Sequence, residues 1–89
     1  GHRIELGEVE GTIMKIPSVS RCCCIFSDNK VTAFYTGMVL EKKDIIQSIK
    51  EKLPVFMIPS DFIHLDEFVL NKNGKIDRNC LKEIINGNN

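Results

Sequence analysis

The sequence carries no excess charge of either sign. Twelve Lys and Arg residues balance twelve Asp and Glu residues, so the formal net charge at pH 7 is zero. A polyanion such as nucleic acid, or an acidic membrane face, therefore meets no net attractive field. The aromatic residues lie mostly within apolar runs, where they indicate core packing and not base stacking. We expect no nucleic-acid partner.

Long apolar runs are also missing. No run approaches the ~20 residues needed to span a bilayer, and the first residues lack the basic-then-apolar order of a signal peptide. With only three prolines and 43% hydrophobic residues, the composition is that of a folded chain. We expect one cytoplasmic domain, residues 1–89, without a membrane partner. A chain of this length buries roughly 60–65% of its unfolded surface, which leaves little room for a deep ligand pocket.

Most catalytic signatures are absent. The six glycines form neither a GxGxxG nor a GxxxxGK cradle for phosphates. His2 and His64 have no metal-binding partners at ligand spacing, so we expect no metal site. His64 lies in an apolar strand-like run, where a structural role is expected. No serine nucleophile elbow occurs either.

Three of the four cysteines are adjacent: Cys22, Cys23 and Cys24. They cannot chelate a metal as a CxxC pair does, because neighbouring strand side chains point to opposite faces. Cys22 and Cys24 share a face, but their Cα atoms would lie roughly 6.5 Å apart, near the upper limit for a disulfide. We interpret these cysteines and Cys80 as small buried hydrophobes in a reducing compartment. A redox or metal role is the alternative.

Apolar spacing predicts two amphipathic helices, each closed by a proline. They are residues 5–16 before Pro17, and residues 41–53 before Pro54. Runs rich in β-branched, aromatic and Cys residues predict a β-hairpin and two short strand pieces. These runs are residues 20–26, 31–37, 62–65 and 68–70. Residues 55–58 form a connector apolar enough to be buried.

The end of the chain shows a turn followed by a helix. Asn73 and Gly74 predict a tight turn, because both tolerate positive φ. Asp77 is expected to cap a last helix that carries Leu81 on its apolar face. The predicted fold class is α+β, with three helices packed on a small antiparallel sheet of about three strands in the order α-β-β-α-β-α.

Three segments, in this order, carry a family resemblance over nearly the whole chain. They read Gly-His-Arg-Ile-Glu-Leu-Gly-Glu-Val-Glu at residues 1–10, Leu-Pro-Val-Phe-Met-Ile-Pro at residues 53–59, and Asn-Gly-Lys-Ile-Asp-Arg at residues 73–78. The chain resembles the C-terminal subdomain of the adenylate-forming superfamily, which includes acyl-CoA synthetases, luciferases and nonribosomal peptide synthetase adenylation domains. The first segment looks most like amino-acid-activating members such as D-alanine–carrier protein ligases. Residues 69–72 depart from the Pro-Leu-Thr-Pro-like lead of many peptide-synthetase relatives.

The resemblance implies a fragment of an ATP-dependent ligase that activates a carboxylate, here an amino acid. In this family the C-terminal subdomain is a lid that rotates between adenylate formation and thioester formation. ATP and magnesium would be bound mainly by the absent N-terminal core domain, which is the first expected partner. The acceptor thiol would be the phosphopantetheine of coenzyme A or of an acyl or peptidyl carrier protein. The fragment alone is expected to be inactive.

The resemblance also assigns site residues. Lys75 would be the catalytic lysine of adenylation, with Asn73 and Gly74 in its nucleotide-contacting loop. Gly1, His2 and Arg3 would belong to the thioester-forming face. From the residues alone, an ammonium just after a tight turn suits a step in which negative charge accumulates on phosphate. The alternative for Lys75 is a solvated hairpin lysine, and for Arg3 a surface ion pair.

For three further charged residues a structural role is preferred, and for a fourth two roles stay open. Asp77 is interpreted as a helix N-cap and not as a catalytic acid. Glu8 and Glu10 lie near the start of the first helix, where carboxylates favour the helix dipole, and this is preferred to an acid–base pair. Arg78 either braces the turn or contacts the core domain.

A hypothesis from a different class stands beside the ligase hypothesis. A self-sufficient small α+β module could bind a metabolite or a protein and catalyse nothing. The size, the balanced charge and the missing catalytic cluster all fit such a module.

Overall fold

The computed structural model describes residues 4–87. The helices and strands follow in the order α1 (Leu6–Ile13), β1 (Val19–Ser27), β2 (Lys30–Gly37), α2 (Lys42–Ile49), β3 (Asp61–His64) and α3 (Arg78–Ile85). A short 3₁₀ turn, Val55–Met57, stands between α2 and β3. The α+β class and the order α-β-β-α-β-α predicted from the sequence are confirmed.

The first two helices are shorter than their apolar spacing predicts. α1 ends at Ile13 and α2 at Ile49, three to four residues before the predicted ends. The residues that follow each helix lead to a proline, Pro17 or Pro54, and the residue before a proline disfavours the helical conformation. The chain therefore leaves the helix early and turns, while Leu53 still packs into the core beside Ile49.

β1 and β2 form the predicted hairpin. They pair antiparallel, with Cys24 opposite Ala33 and Ser27 opposite Lys30. The two loop residues Asp28 and Asn29 both have positive φ, 55° and 62°. A two-residue loop with positive φ at both positions matches the right-handed twist of the strands it joins.

The third strand corrects the predicted sheet. The sequence predicts an antiparallel sheet, but β3 pairs parallel to β2, with Phe34 opposite Ile63, so the three-stranded sheet β1-β2-β3 is mixed. The reason is the connection: α2 carries the chain back to the end of the sheet at which β2 began, so β3 runs in the same direction. Residues 68–70 form no strand beyond a single bridge from Leu70 to Ile76.

Both faces of the sheet are covered. α1 and α2 pack on the face that carries Cys22, Cys24 and Tyr35, while α3 and Phe68 cover the face that carries Cys23 and Phe34. The burial predicted for the three adjacent cysteines is confirmed, and all four cysteines are free thiols. Cys80 is only half buried.

The apolar connector after Pro54 is only partly buried, contrary to the sequence prediction. Met57 is in the core, but Val55 is 84% exposed. The connector forms a 3₁₀ turn with about three residues per turn, so its consecutive side chains point in different directions and only some reach the core.

Candidate functional site

Lys75 lies at the tip of a small hairpin formed by residues 69–77. One arm is tied to the other by the antiparallel bridge between Leu70 and Ile76. Two backbone hydrogen bonds flank the bridge: the Asn71 amide donates to the Lys75 carbonyl at 2.7 Å, and the Asp77 amide donates to the Val69 carbonyl at 2.8 Å. The hairpin is therefore held along its length by its own backbone.

The turn of this hairpin depends on Asn71, which sequence reasoning did not single out. Its side-chain oxygen accepts hydrogen bonds from the Asn73 amide at 2.8 Å and the Lys75 amide at 3.1 Å, and its carbonyl accepts from the Gly74 amide at 2.9 Å. An Asn two residues before the turn is the signal that could have identified it, since Asn side chains close such turns.

Gly74 takes the conformation that the sequence predicts. Its φ is +81°, and a Cβ there would meet nothing within 4 Å, so backbone conformation and not space requires glycine. Asn73 is not among the residues with positive φ in the described part of the chain. The predicted turn is confirmed, with the left-handed conformation at Gly74 alone.

The Lys75 side chain stands in solvent. Residues 71–75 are all exposed, and among residues 4–87 the Lys75 ammonium takes part in none of the ion pairs. Lys72, on the other side of the turn, is exposed as well. The structure therefore places Asn73, Gly74 and Lys75 together on one projecting loop, where a partner surface could reach the ammonium.

Behind the hairpin, Arg78 is the first residue of α3 and binds back to the sheet. Its guanidinium donates from Nη1 to the Cys24 carbonyl at 3.0 Å, and its Nη2 lies 3.6 Å from Glu10 Oε2. The same Glu10 oxygen accepts from the Cys24 amide at 2.7 Å. We name Glu10, Cys24 and Arg78 the edge clamp, because β1 is an edge strand and both backbone groups of Cys24 are satisfied by side chains.

The edge clamp shows what Arg78 and Glu10 do within the domain. Arg78 binds the domain's own β1 and α1, not the turn that it was expected to brace, and a contact with the core domain stays a prediction. Glu10 has a structural role, as expected, but the cause differs from the expected helix dipole. Its carboxylate accepts a hydrogen bond from the Cys24 amide and forms an ion pair with Arg78. Glu8 is the acidic residue in the first turn of α1, where the dipole argument applies.

Asp77 and His64 have the structural roles predicted for them. The Asp77 side chain caps α3 by accepting from the Asn79 amide at 3.0 Å. His64 Nε2 lies 2.7 Å from the Gly37 carbonyl oxygen, and its ring packs edge-on against Tyr35 with 5.3 Å between centroids. Both side chains therefore make contacts within the fold.

An open cleft of about 470 Å³ lies on the α3 side of the sheet, between the start of β1 and the segment after β3. Arg21, Thr36, Asp66, Glu67 and Phe68 are among its lining residues, and the Arg21 guanidinium carbon lies 6.0 Å from the Phe68 ring centre. Lys75 does not line this cleft. The candidate site is therefore an exposed loop and not a pocket.

Gly1, His2 and Arg3 lie outside the described residues, so the thioester-forming face predicted there stays a prediction. Within residues 4–87, no group of three or more His, Cys, Asp or Glu side chains could hold a metal ion. The helices of that same part of the chain lack the length and the apolar composition that a membrane-spanning helix needs.

The fold and the loop together define a class: a small α+β domain that presents a lysine to solvent. Relatives share this domain. The chain is 38% identical over 89 residues to gramicidin S synthase 1 of Brevibacillus brevis, covering 93% of this chain and 8% of that protein. It is 33% identical, over an alignment 98 residues long, to the D-alanine–D-alanyl carrier protein ligase of Listeria welshimeri. This alignment covers 97% of this chain and 19% of that protein.

A solved structure agrees with these relatives. A four-domain nonribosomal peptide synthetase, in its holo form bound to AMP and glycine, superimposes with a TM-score of 0.78 at 37% identity, over 89% of this chain and 6% of that one. Residues 8–75 match the family described as the AMP-binding enzyme C-terminal domain. The chain belongs to this family. It spans less than a fifth of the length of each of these three relatives.

Proposed function

We propose that this chain is the mobile C-terminal lid of an ATP-dependent ligase that activates the carboxylate of an amino acid, and that Lys75 serves its adenylation step. The observation that carries the proposal is the position of Lys75: it stands at the tip of a hairpin closed by its own hydrogen bonds, exposed to solvent. Family membership favours this hypothesis over a self-sufficient binding module.

The chemistry of the step explains why a lysine suits this place. When a carboxylate attacks the α-phosphate of ATP, the carboxylate oxygen forms a bond to phosphorus and pyrophosphate leaves, so negative charge accumulates between the two reactants. An ammonium on a flexible stem can approach that charge as a compact point charge. Because the turn is fixed by Asn71 and Gly74, the stem starts from a defined point on the lid.

ATP and magnesium would be bound mainly by a core domain outside this chain. The described residues contain no acidic cluster for a metal ion, and the sequence has no glycine-rich phosphate cradle. The described residues therefore do not fit a magnesium site, and the metal would belong to the core domain. What this chain would contribute is the Lys75 charge, together with the Asn73 and Gly74 backbone beside it.

The relatives support an amino-acid substrate and a thiol acceptor. The ligase from Listeria welshimeri is named for D-alanine and its carrier protein, and the synthetase structure contains glycine and AMP. We propose the same class of substrate here, with the phosphopantetheine thiol of a carrier protein or coenzyme A taking the acyl group. Gly1, His2 and Arg3 would line the path of that thiol after the lid has turned.

The experiment compares Lys75→Ala with Lys72→Ala in the ligase that contains this chain. Lys72 is the matched control, because it is exposed on the same loop and carries the same charge. Pyrophosphate exchange should fall about 10²–10³-fold in Lys75→Ala and change little in Lys72→Ala. Thioester formation from a supplied acyl-adenylate should be much less affected. Normal exchange in Lys75→Ala, or equal damage in both variants, would contradict the proposal.

A further inference from the structure

The hairpin that carries Lys75 has few attachments to the rest of the domain. Val69, Leu70 and residues 71–75 are all exposed. Its apolar anchors are Phe68 at one end and Ile76 at the other, both packed on the α3 face of the sheet. A rigid hairpin held by so few contacts could tilt about its base, which would displace its tip more than its root.

The edge clamp is the polar attachment next to that base. Arg78 follows the hairpin by one residue, and its hydrogen bond to the Cys24 carbonyl joins positions 54 residues apart in the chain. Glu10 approaches the same strand from α1, so three elements meet at one backbone unit. Hydrogen bonds of a charged group are shorter and stronger than neutral ones, which suits a contact that holds two elements together.

The backbone groups of Cys24 lie on the free edge of β1. Cys24 lies opposite Ala33 in the antiparallel pair, and both its N–H and its C=O point away from β2. In an antiparallel ladder the two groups of one residue point to the same side. The carboxylate and the guanidinium therefore take the places that a neighbouring strand would fill, and they also bind each other at 3.6 Å.

From these contacts we infer that Arg78, held by Glu10, is a positioning residue that fixes the direction of the Lys75 hairpin relative to the sheet. The inference rests on the proposed role of Lys75. Arg78 is not proposed to touch a reactant. It acts through the base of the hairpin, because Asp77 is its neighbour in the chain and caps α3, the helix that begins at Arg78. A shift of about 1 Å in a reacting group can cost roughly 10²-fold in rate, so loss of the clamp should be visible in adenylation.

The test is a double-mutant cycle in the ligase that contains this chain. Arg78→Lys keeps the positive charge but cannot reach both Cys24 and Glu10 from one planar group, and it is milder than Arg78→Ala. Glu10→Gln keeps an acceptor for the Cys24 amide and removes the ion pair. Lys82→Ala, a change of an exposed cation on the same helix, is the control. The rate of pyrophosphate exchange is measured for each variant with Lys75 and with Lys75→Ala.

We expect Arg78→Lys to slow exchange roughly 10- to 100-fold with Lys75 present and to slow it no further in the Lys75→Ala background. Glu10→Gln should act in the same direction, and Lys82→Ala should have no effect. Hydrogen exchange of the Cys24 amide reports the clamp independently of activity: it should be faster in Glu10→Ala, which removes the acceptor, than in Glu10→Gln, which keeps one.

The outcomes separate the two proposals. If Lys75→Ala is slow but Arg78→Lys is normal, or if the two changes multiply fully, Arg78 does not act through Lys75 and the inference is overturned while the proposed function stands. If Lys75→Ala itself exchanges normally, the proposed function fails and the inference fails with it. Should Arg78→Lys not fold, Glu10→Gln in the same cycle decides.

Discussion

Gly37 lies so close to Ser18 that a Cβ built on it would stand 2.3 Å from the Ser18 carbonyl oxygen. The same oxygen accepts a hydrogen bond from the Met38 amide at 2.9 Å. Gly37 also has a φ of +111°, a conformation that side chains rarely adopt. The end of β2 thus crosses the loop before β1 at a distance that only glycine allows, and it does so beside His64, which bonds the Gly37 carbonyl.

Replacing Gly37 by alanine should destabilise the domain by about 2–4 kcal/mol, because it adds backbone strain and a clash with a backbone atom that cannot yield. Gly11→Ala is the matched control: it lies in α1 with nothing within 4 Å of the added methyl group. It should stabilise by about 0.5–1 kcal/mol, since alanine favours helix. Urea denaturation of both variants measures this, and equal effects would contradict the crowding at Gly37.

Asp77→Ala should lower the free energy of unfolding by about 1 kcal/mol, because the Asn79 amide loses its capping acceptor. Asp77→Asn keeps a capping oxygen. Its free energy of unfolding should therefore lie within a few tenths of a kcal/mol of that of the original protein. Both are compared by urea denaturation. An equally large loss in Asp77→Asn would indicate that the negative charge, and not the cap, stabilises the start of α3.

The buried thiols predict a loss of stability at high pH. Burial raises the pKa of Cys23 from 9.0 to about 11, against a smaller opposing effect of the Arg78 charge. Because the pKa is higher in the folded state, the contribution to stability is complete below about pH 9.0, the ordinary pKa of this thiol, and is lost as the pH rises towards 11. The hydrogen bond with Cys22, together with burial, also raises the pKa of Cys24.

Cys23→Val isolates this effect, since valine cannot ionise and fills a similar apolar site. The free energy of unfolding should fall less between pH 8 and pH 10.5 in Cys23→Val than in the original protein. The two proteins differ only at this side chain, so the difference between their curves isolates its contribution. Parallel curves for the two proteins would show that Cys23 ionisation does not contribute.

The thioester-forming face proposed at Gly1, His2 and Arg3 has its own test. In the ligase that contains this chain, Gly1→Trp should narrow the path of the thiol and slow thioester formation at least 10-fold, an order of magnitude that corresponds to about 1.4 kcal/mol of barrier. Pyrophosphate exchange should be unchanged. Equal loss in both half-reactions would contradict a division of labour between this face and Lys75.

The α+β class, the order of the elements and the turn before Lys75 could all be predicted, because each depends on local signals. Apolar spacing distinguishes helix from strand, and the Asn73-Gly74 pair marks its turn whatever surrounds it. The parallel pairing of β3 could not be predicted in this way. It depends on where α2 delivers the chain, and an alternating strand sequence looks alike in either direction.

Of the candidate site, too, only the part that depends on local sequence could be predicted. Lys75 could be placed from sequence, because the Asn-Gly turn and the ordered family segments lie around it in the chain. The edge clamp could not, because Glu10, Cys24 and Arg78 are far apart in sequence and meet only when α1 and α3 approach the edge of β1. The residue types along the chain are enough to show which side chains carry charge. Which of these charges pair within the domain depends on packing between elements and not on spacing along one of them, so it becomes visible only when α1, β1 and α3 are assembled.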